Sequence, residues 1–245
     1  MRYTYSKNYN TSYSYVDRTG RLGLVEFLNM NQDMITEFYG SVGSDNLILR
    51  EKNNAAWIYT RIRIETVGSL PFWNQKTKAV TFVCAKSAIR MELETDLYDE
   101  NDNLLVVAKT EMCAIDFGTR KLRRIDTLEF PKDLEVMETN MPEGFSRLNT
   151  EFEEADMAYM QKVYAIDTDF TDHTNNVRYV KFIMNTFDSK FFVEKTIKGF
   201  EIQFVRESKD GDTLSIFAKN TGENEYSYLI QKADEAVVKA KLWAC

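Results

Sequence analysis

DTDFTDHTNNVRY, residues 167–179, contains His173, the only histidine in 245 residues. Within ten positions the stretch also gathers Asp167, Asp169, Thr171, Asp172, Asn175 and Asn176. Imidazole is the usual group for moving a proton near neutral pH. Asp169 precedes His173 by four residues and can orient the ring if the loop folds back. It is equally placed to close an Asx turn. The cluster runs into Val177, Val180, Met184, Phe187 and Phe191, spaced 3, 4, 3 and 4 apart. That spacing is one face of a helix. Asn175 and Asn176 stand at its start. They are N-cap candidates, and they lie beside the first free backbone N–H groups, which favour an anion.

Outward from the cluster, the segment KVYAIDTDF (162–170) reads as a strand leading into it. After Gly199, FEIQFVRES (200–208) reads as a second strand. Residues 213–245 then give three strands with turns at NTGEN and ADE. The first half follows the same order. Residues 3–16 alternate tyrosines with polar residues, and Leu24, Phe27, Leu28, Met34, Ile35 and Phe38 give a helix that Gly40 stops. Strands are expected over 55–68 and 78–87, and two more over 88–117 joined at DENDN. Helix plus antiparallel strands, twice over, is an α+β class. The domains are expected at 1–130 and 155–245. The intervening 131–154, with Pro131 and Pro142, reads as a crossover linker.

Composition excludes several classes. A net charge of −7 opposes general nucleic-acid binding, which needs a basic footprint. No run is long enough for a membrane span, and residues 1–16 have no apolar core of a signal peptide. Cys84, Cys113 and Cys245 are far apart and odd in number, so neither a disulfide framework nor a metal site is expected. A reducing, cytoplasmic location fits that cysteine usage.

The cluster also resembles a known element. Acyl-acyl-carrier-protein (acyl-ACP) thioesterases have Asp-x-Asn-x-His-x-Asn-Asn before a helix that begins Val-x-Tyr. Asp169-Phe170-Thr171-Asp172-His173-Thr174-Asn175-Asn176-Val177-Arg178-Tyr179 is similar to it. Phe204-Val205-Arg206-Glu207-Ser208 resembles the family's later Arg-Glu context. Asp17-Arg18-Thr19 and the basic run Arg120–Arg124 resemble its first half, so the likeness covers nearly the whole chain in order.

The resemblance implies two tandem hot-dog domains, each a long helix wrapped by a twisted antiparallel sheet. It implies hydrolysis of fatty acyl-ACP to free fatty acid and ACP, ending fatty acid synthesis, with neither metal nor organic cofactor. Asp169, His173 and Glu207 carry over as catalytic residues. Thr171 stands at the family's Asn; it keeps a hydroxyl donor and lacks the amide. Ser208 stands where the family often has cysteine, so no thiol nucleophile is needed there. Asn175 and Asn176 are the candidates for oxyanion or substrate contact. The second half is expected to carry the catalysis and the first to shape the acyl slot.

The partners are then ACP and a fatty acyl chain. Because ACP is acidic, docking needs a local cationic patch: Arg120–Arg124, or Arg178, Lys181, Lys190, Lys195 and Lys198. An acyl-coenzyme A hydrolase of hot-dog fold and a non-catalytic acyl-binding or regulatory protein are the alternatives. Monomer and homodimer both stay open.

Overall fold

The computed structural model describes residues 3–245. Met1 and Arg2, where the expected first domain begins, lie outside them. The chain divides into two compact units, one up to Gly144 and one from Phe145.

The first unit contains β1 (Thr4–Asn10), α1 (Leu24–Ser41), α2 (Asn46–Asn53), β2 (Ala55–Thr66), β3 (Lys76–Lys86), β4 (Arg90–Asp99), β5 (Leu104–Asp116) and β6 (Leu122–Arg123). Its strands run antiparallel in the order β1-β3-β4-β5-β2, and β6 pairs with β5. Helix α1 forms because Phe27, Leu28, Met34, Ile35 and Phe38 all find a buried face. Its side chains reach the sheet: Asn31 Nδ2 donates to Thr110 Oγ1 at 3.2 Å, and Tyr39 stacks on Trp57 at 4.8 Å between ring centroids. The helix ends beside Gly43, whose φ of 68° suits glycine. α2 was not expected from the sequence. Asp45 starts it, its carboxylate accepting from the Leu47 and Ile48 N–H groups.

Most of β4 and β5 is buried on both faces. Residues 131–153 hold no helix or strand, yet the first part of this segment packs on the first unit. Thr139 and the Asn140 N–H donate to Glu94, and Asn140 Nδ2 donates to Asp96 at 2.7 Å. Lys109 donates to the Met141 carbonyl. Burial, and then the neighbouring Glu94, push the Asp96 carboxyl up to about 6. The folded state therefore holds this proton more tightly than the unfolded chain. Its contribution to stability is full below about pH 4 and is lost as pH rises towards about 6. The buried charge that forms above that pH opposes folding. Asp96→Asn is expected to raise the melting temperature at pH 8 by about 2–6 °C. At pH 4.5 the gain should be much smaller. Melts of both proteins at the two pH values check this; equal shifts would contradict it.

The second unit contains β7 (Met157–Lys162), α3 (Asn176–Met184), α4 (Phe191–Glu194), β8 (Ile197–Phe204), β9 (Thr213–Gly222), β10 (Glu225–Lys232) and β11 (Glu235–Ala244). Its antiparallel order is β8-β11-β10-β9-β7. α3 buries Val177, Tyr179, Val180, Phe182, Ile183 and Met184. Gly199 is required where it stands, since an added Cβ would lie 2.1 Å from the Trp243 ring.

Two expectations need correction here. Residues 163–170 are not strand: β7 ends at Lys162, and a 3₁₀ turn spans Ala165–Asp167, where Asp167 accepts from the Tyr164 N–H at 3.1 Å. The helix after the cluster stops at Met184 and does not continue to Phe191. Thr186 folds its hydroxyl back on the Ile183 carbonyl, and Asp188 accepts from the Phe191 N–H. Phe187 and Phe191 keep their apolar role by stacking, 3.7 Å between centroids. Each unit is an antiparallel sheet carrying a principal helix, and the chain is α+β with two tandem hot-dog domains.

Candidate active site

The sequence cluster folds into a five-residue loop ahead of α3. The Asp169 N–H donates to the His173 carbonyl at 2.9 Å, and the Asp172 N–H to the Asp169 carbonyl at 3.1 Å. Asp172 takes a φ of 63° to make the turn. The Asp169 carboxylate accepts from the Thr171 N–H at 2.8 Å and from its hydroxyl at 2.5 Å. Thr171 Oγ1 also lies 3.2 Å from His173 Nδ1, and His173 Nε2 lies 3.2 Å from Glu207 Oε2. Asp169, Thr171, His173 and Glu207, four of the expected residues, thus form one hydrogen-bonded line.

Donor bookkeeping fixes the protons in that line. Thr171 spends its one hydroxyl proton on Asp169, so towards the ring its oxygen accepts. His173 Nδ1 must therefore carry hydrogen. That leaves Nε2 facing a carboxylate, and the contact is attractive only with one proton between them. His173 and Glu207 are 36 % and 46 % exposed, so water reaches the pair within this unit. A cavity of about 550 Å³ in the same unit lies elsewhere, lined by Arg147, Leu148, Phe152 and Lys239 among others.

The first unit repeats this loop without the imidazole. The Asp17 N–H donates to the Arg21 carbonyl at 2.8 Å, and Asp17 accepts from the Thr19 N–H and hydroxyl at 2.7 and 2.6 Å. Gly20, with φ of 77°, occupies the place of Asp172, and Arg21 that of His173. The Asp–Thr hydrogen bonds are thus the loop's own architecture, an Asx turn that forms whether or not a histidine follows. In the second unit the same turn also holds the ring.

Asn175 and Asn176 divide the helix start between them. Asn175 is the N-cap, its side chain accepting from the Val177 N–H at 2.9 Å. Asn176 is the first helical residue and is half-buried. A set of three hydroxyls behind the loop was not foreseen. Thr174 Oγ1 lies 2.7 Å from Ser208 Oγ, and the Tyr179 hydroxyl 2.8 Å from the same atom. Burial pushes the Tyr179 phenol above its usual range, which keeps it a neutral donor. The visible signal was that both His173 and Glu207 are followed by a hydroxyl residue.

Comparison with known proteins agrees. Residues 2–130 match the acyl-ACP thioesterase N-terminal domain, and residues 150–243 match the acyl-ACP thioesterase C-terminal domain. No curated protein sequence matches significantly. The fold is similar to an acyl-ACP thioesterase from Bacteroides thetaiotaomicron, with a TM-score of 0.86 at 22% identity over 99% of this chain and 98% of that one. It is also similar to a putative oleoyl thioesterase from Lactobacillus plantarum, with a TM-score of 0.85 at 18% identity over 98% of this chain and 95% of that one. The 12:0-ACP thioesterase from Umbellularia californica gives 0.83 at 15% identity over 99% and 97%. With both of its domains matched in order, the chain belongs to the acyl-ACP thioesterase family and hydrolyses fatty acyl-ACP thioesters.

Proposed function

We propose that His173 and Glu207 carry out the hydrolysis as a pair sharing one proton, with water as the nucleophile. Glu207 takes a proton from the attacking water as its oxygen bonds the acyl carbon. The carbon–sulfur bond then breaks, and Nε2–H of His173 gives its proton to the departing sulfur. The pair ends with one proton between them, as it began, so no outside reagent is needed. Thr171 and Asp169 hold the ring with Nδ1 protonated. The observation that supports this reading is the 3.2 Å contact between Nε2 and the Glu207 carboxylate.

The start of α3 is the proposed place for the carbonyl oxygen. Asn175 caps through its side-chain oxygen, so its amide NH2 and the Asn176 backbone N–H are the candidate donors there. The first unit is assigned the shaping of the acyl slot.

For docking of the acidic carrier, the cations around α3 are the better supported patch. Arg123 is already paired with Asp116 and Arg124 with Asp126. Around α3, Arg178 and Lys190 are likewise paired, with Asp167 and Glu194, while Lys181, Lys195 and Lys198 make no ion pair among the described residues. A carrier held by such charges implies activity that falls with salt, since exposed charges are screened over about 10 Å at 0.1 M. The test is a hydrolysis panel of matched acyl-ACP and acyl-coenzyme A substrates at two ionic strengths. A lower KM for the ACP substrate, rising with salt, is expected. Preference for coenzyme A with no salt effect would reject the docking assignment.

A further inference from the structure

We propose that Tyr179 is a positioning residue for the reaction: its buried phenol fixes, through Ser208, the carboxylate that His173 faces. The inference rests on the roles proposed above for His173 and Glu207. β8 has ended at Phe204, so no regular ladder holds Glu207. The Val205 and Arg206 N–H groups both converge on the Val237 carbonyl. The next anchor is Ser208. The Thr174 N–H donates to the Ser208 carbonyl at 2.7 Å, which ties the residue after His173 to the residue after Glu207. The Ser208 N–H donates to the Tyr179 hydroxyl at 3.1 Å, and Ser208 Oγ sits within 2.8 Å of both the Thr174 and Tyr179 hydroxyls. Thr174, Tyr179 and Ser208 are 4%, 2% and 2% exposed, so water cannot stand in for a lost partner.

The first unit supplies the control. In its matching loop the three positions are Leu22, Phe27 and Pro71, and the Leu22 N–H still donates to the Pro71 carbonyl at 2.9 Å. The backbone tie therefore forms with an apolar set. Hydroxyls are not needed to fold the loop; they appear only in the unit that has the imidazole and the carboxylate. Their added effect is to fix the rotation and height of the chain at Ser208, one residue from Glu207. Misplacement of a reacting group by about 1 Å can cost on the order of a hundredfold in rate.

Tyr179→Phe keeps the ring that Phe27 has in the first unit, but it leaves the Ser208 N–H without the partner that Pro71 never needed, so circular dichroism and a melt accompany the kinetics. On a small soluble thioester its kcat is expected to fall about ten- to a hundredfold with KM within about twofold. In a Glu207→Gln background the same substitution should cost less than about threefold, because the group it positions has already lost its charge. A residue that only supports the fold would cost the same in both backgrounds. Equal losses, or a wild-type kcat for Tyr179→Phe, would overturn the inference. If Tyr179→Phe does not fold, the double variant Tyr179→Phe/Ser208→Pro, which copies Phe27 and Pro71 of the first unit together and leaves no N–H unpaired, takes its place in the same cycle, with the same criteria. A Glu207→Gln enzyme with full activity would instead remove the roles on which the inference depends.

Discussion

His173→Ala is expected to lower kcat about a thousandfold while leaving the fold intact. General acid–base groups contribute roughly 10²- to 10⁴-fold, and His173 is the only imidazole in the chain. The structure gives no reason for the fold to suffer. His173 is partly exposed, and the contact its side chain makes within the loop is one 3.2 Å approach to Thr171. The loop is held by Asp169 and Thr171, as the first unit shows by building the same turn with Arg21 in the histidine's place. Steady-state hydrolysis measured beside circular dichroism and a thermal melt checks the claim. A folded His173→Ala enzyme within about tenfold of wild type would sink the proton-transfer role, given the size of the effect at stake.

Glu207→Gln should cost almost as much, about a hundredfold or more in kcat, for a separate reason. The amide has nearly the shape of the carboxylate but cannot take a proton from water. It also presents either a donor or a neutral acceptor to Nε2, which breaks the one-proton arrangement of the pair. Ser208→Ala is the natural contrast. It removes a hydroxyl but keeps both backbone bonds at that position, from the Thr174 N–H and to the Tyr179 hydroxyl. Less than about threefold loss is expected from such a partial change. The reverse ranking, or an acyl group trapped on Ser208 in a mass spectrum, would point to covalent catalysis.

The site was legible in the sequence because its residues are local. Asp169, Thr171 and His173 lie within five positions, and a turn with an Asx signature brings them together. Glu207 was legible only through resemblance. Nothing in the pattern of FEIQFVRES shows that the strand ends at Phe204 and turns Glu207 towards the ring. The hydroxyl set behind the pair was invisible for a related reason: Tyr179 and Ser208 are 29 residues apart and meet only in three dimensions. Of the fold, strands with clear alternation and hairpin turns were read well, including the turns with left-handed Asn224, Ala233 and Asp234. α2 escaped because it buries only Leu49 and leaves Leu47 exposed, too narrow a stripe to detect. The overlong α3 came from aromatics at helical spacing that satisfy burial by stacking instead. Charged Glu94, Asp96 and Lys109 gave no sign of being covered, since their partners come from the irregular 139–141 stretch.

The central claim is that the His173–Glu207 pair activates water that attacks the thioester directly. A single turnover in ¹⁸O-labelled water, with enzyme in excess over acyl-ACP, tests it most directly. The account predicts one ¹⁸O atom in the released fatty acid and none in the peptide containing Glu207. Unlabelled fatty acid together with ¹⁸O in that peptide would mean that Glu207 attacks the acyl carbon itself and is regenerated by water, which would contradict it.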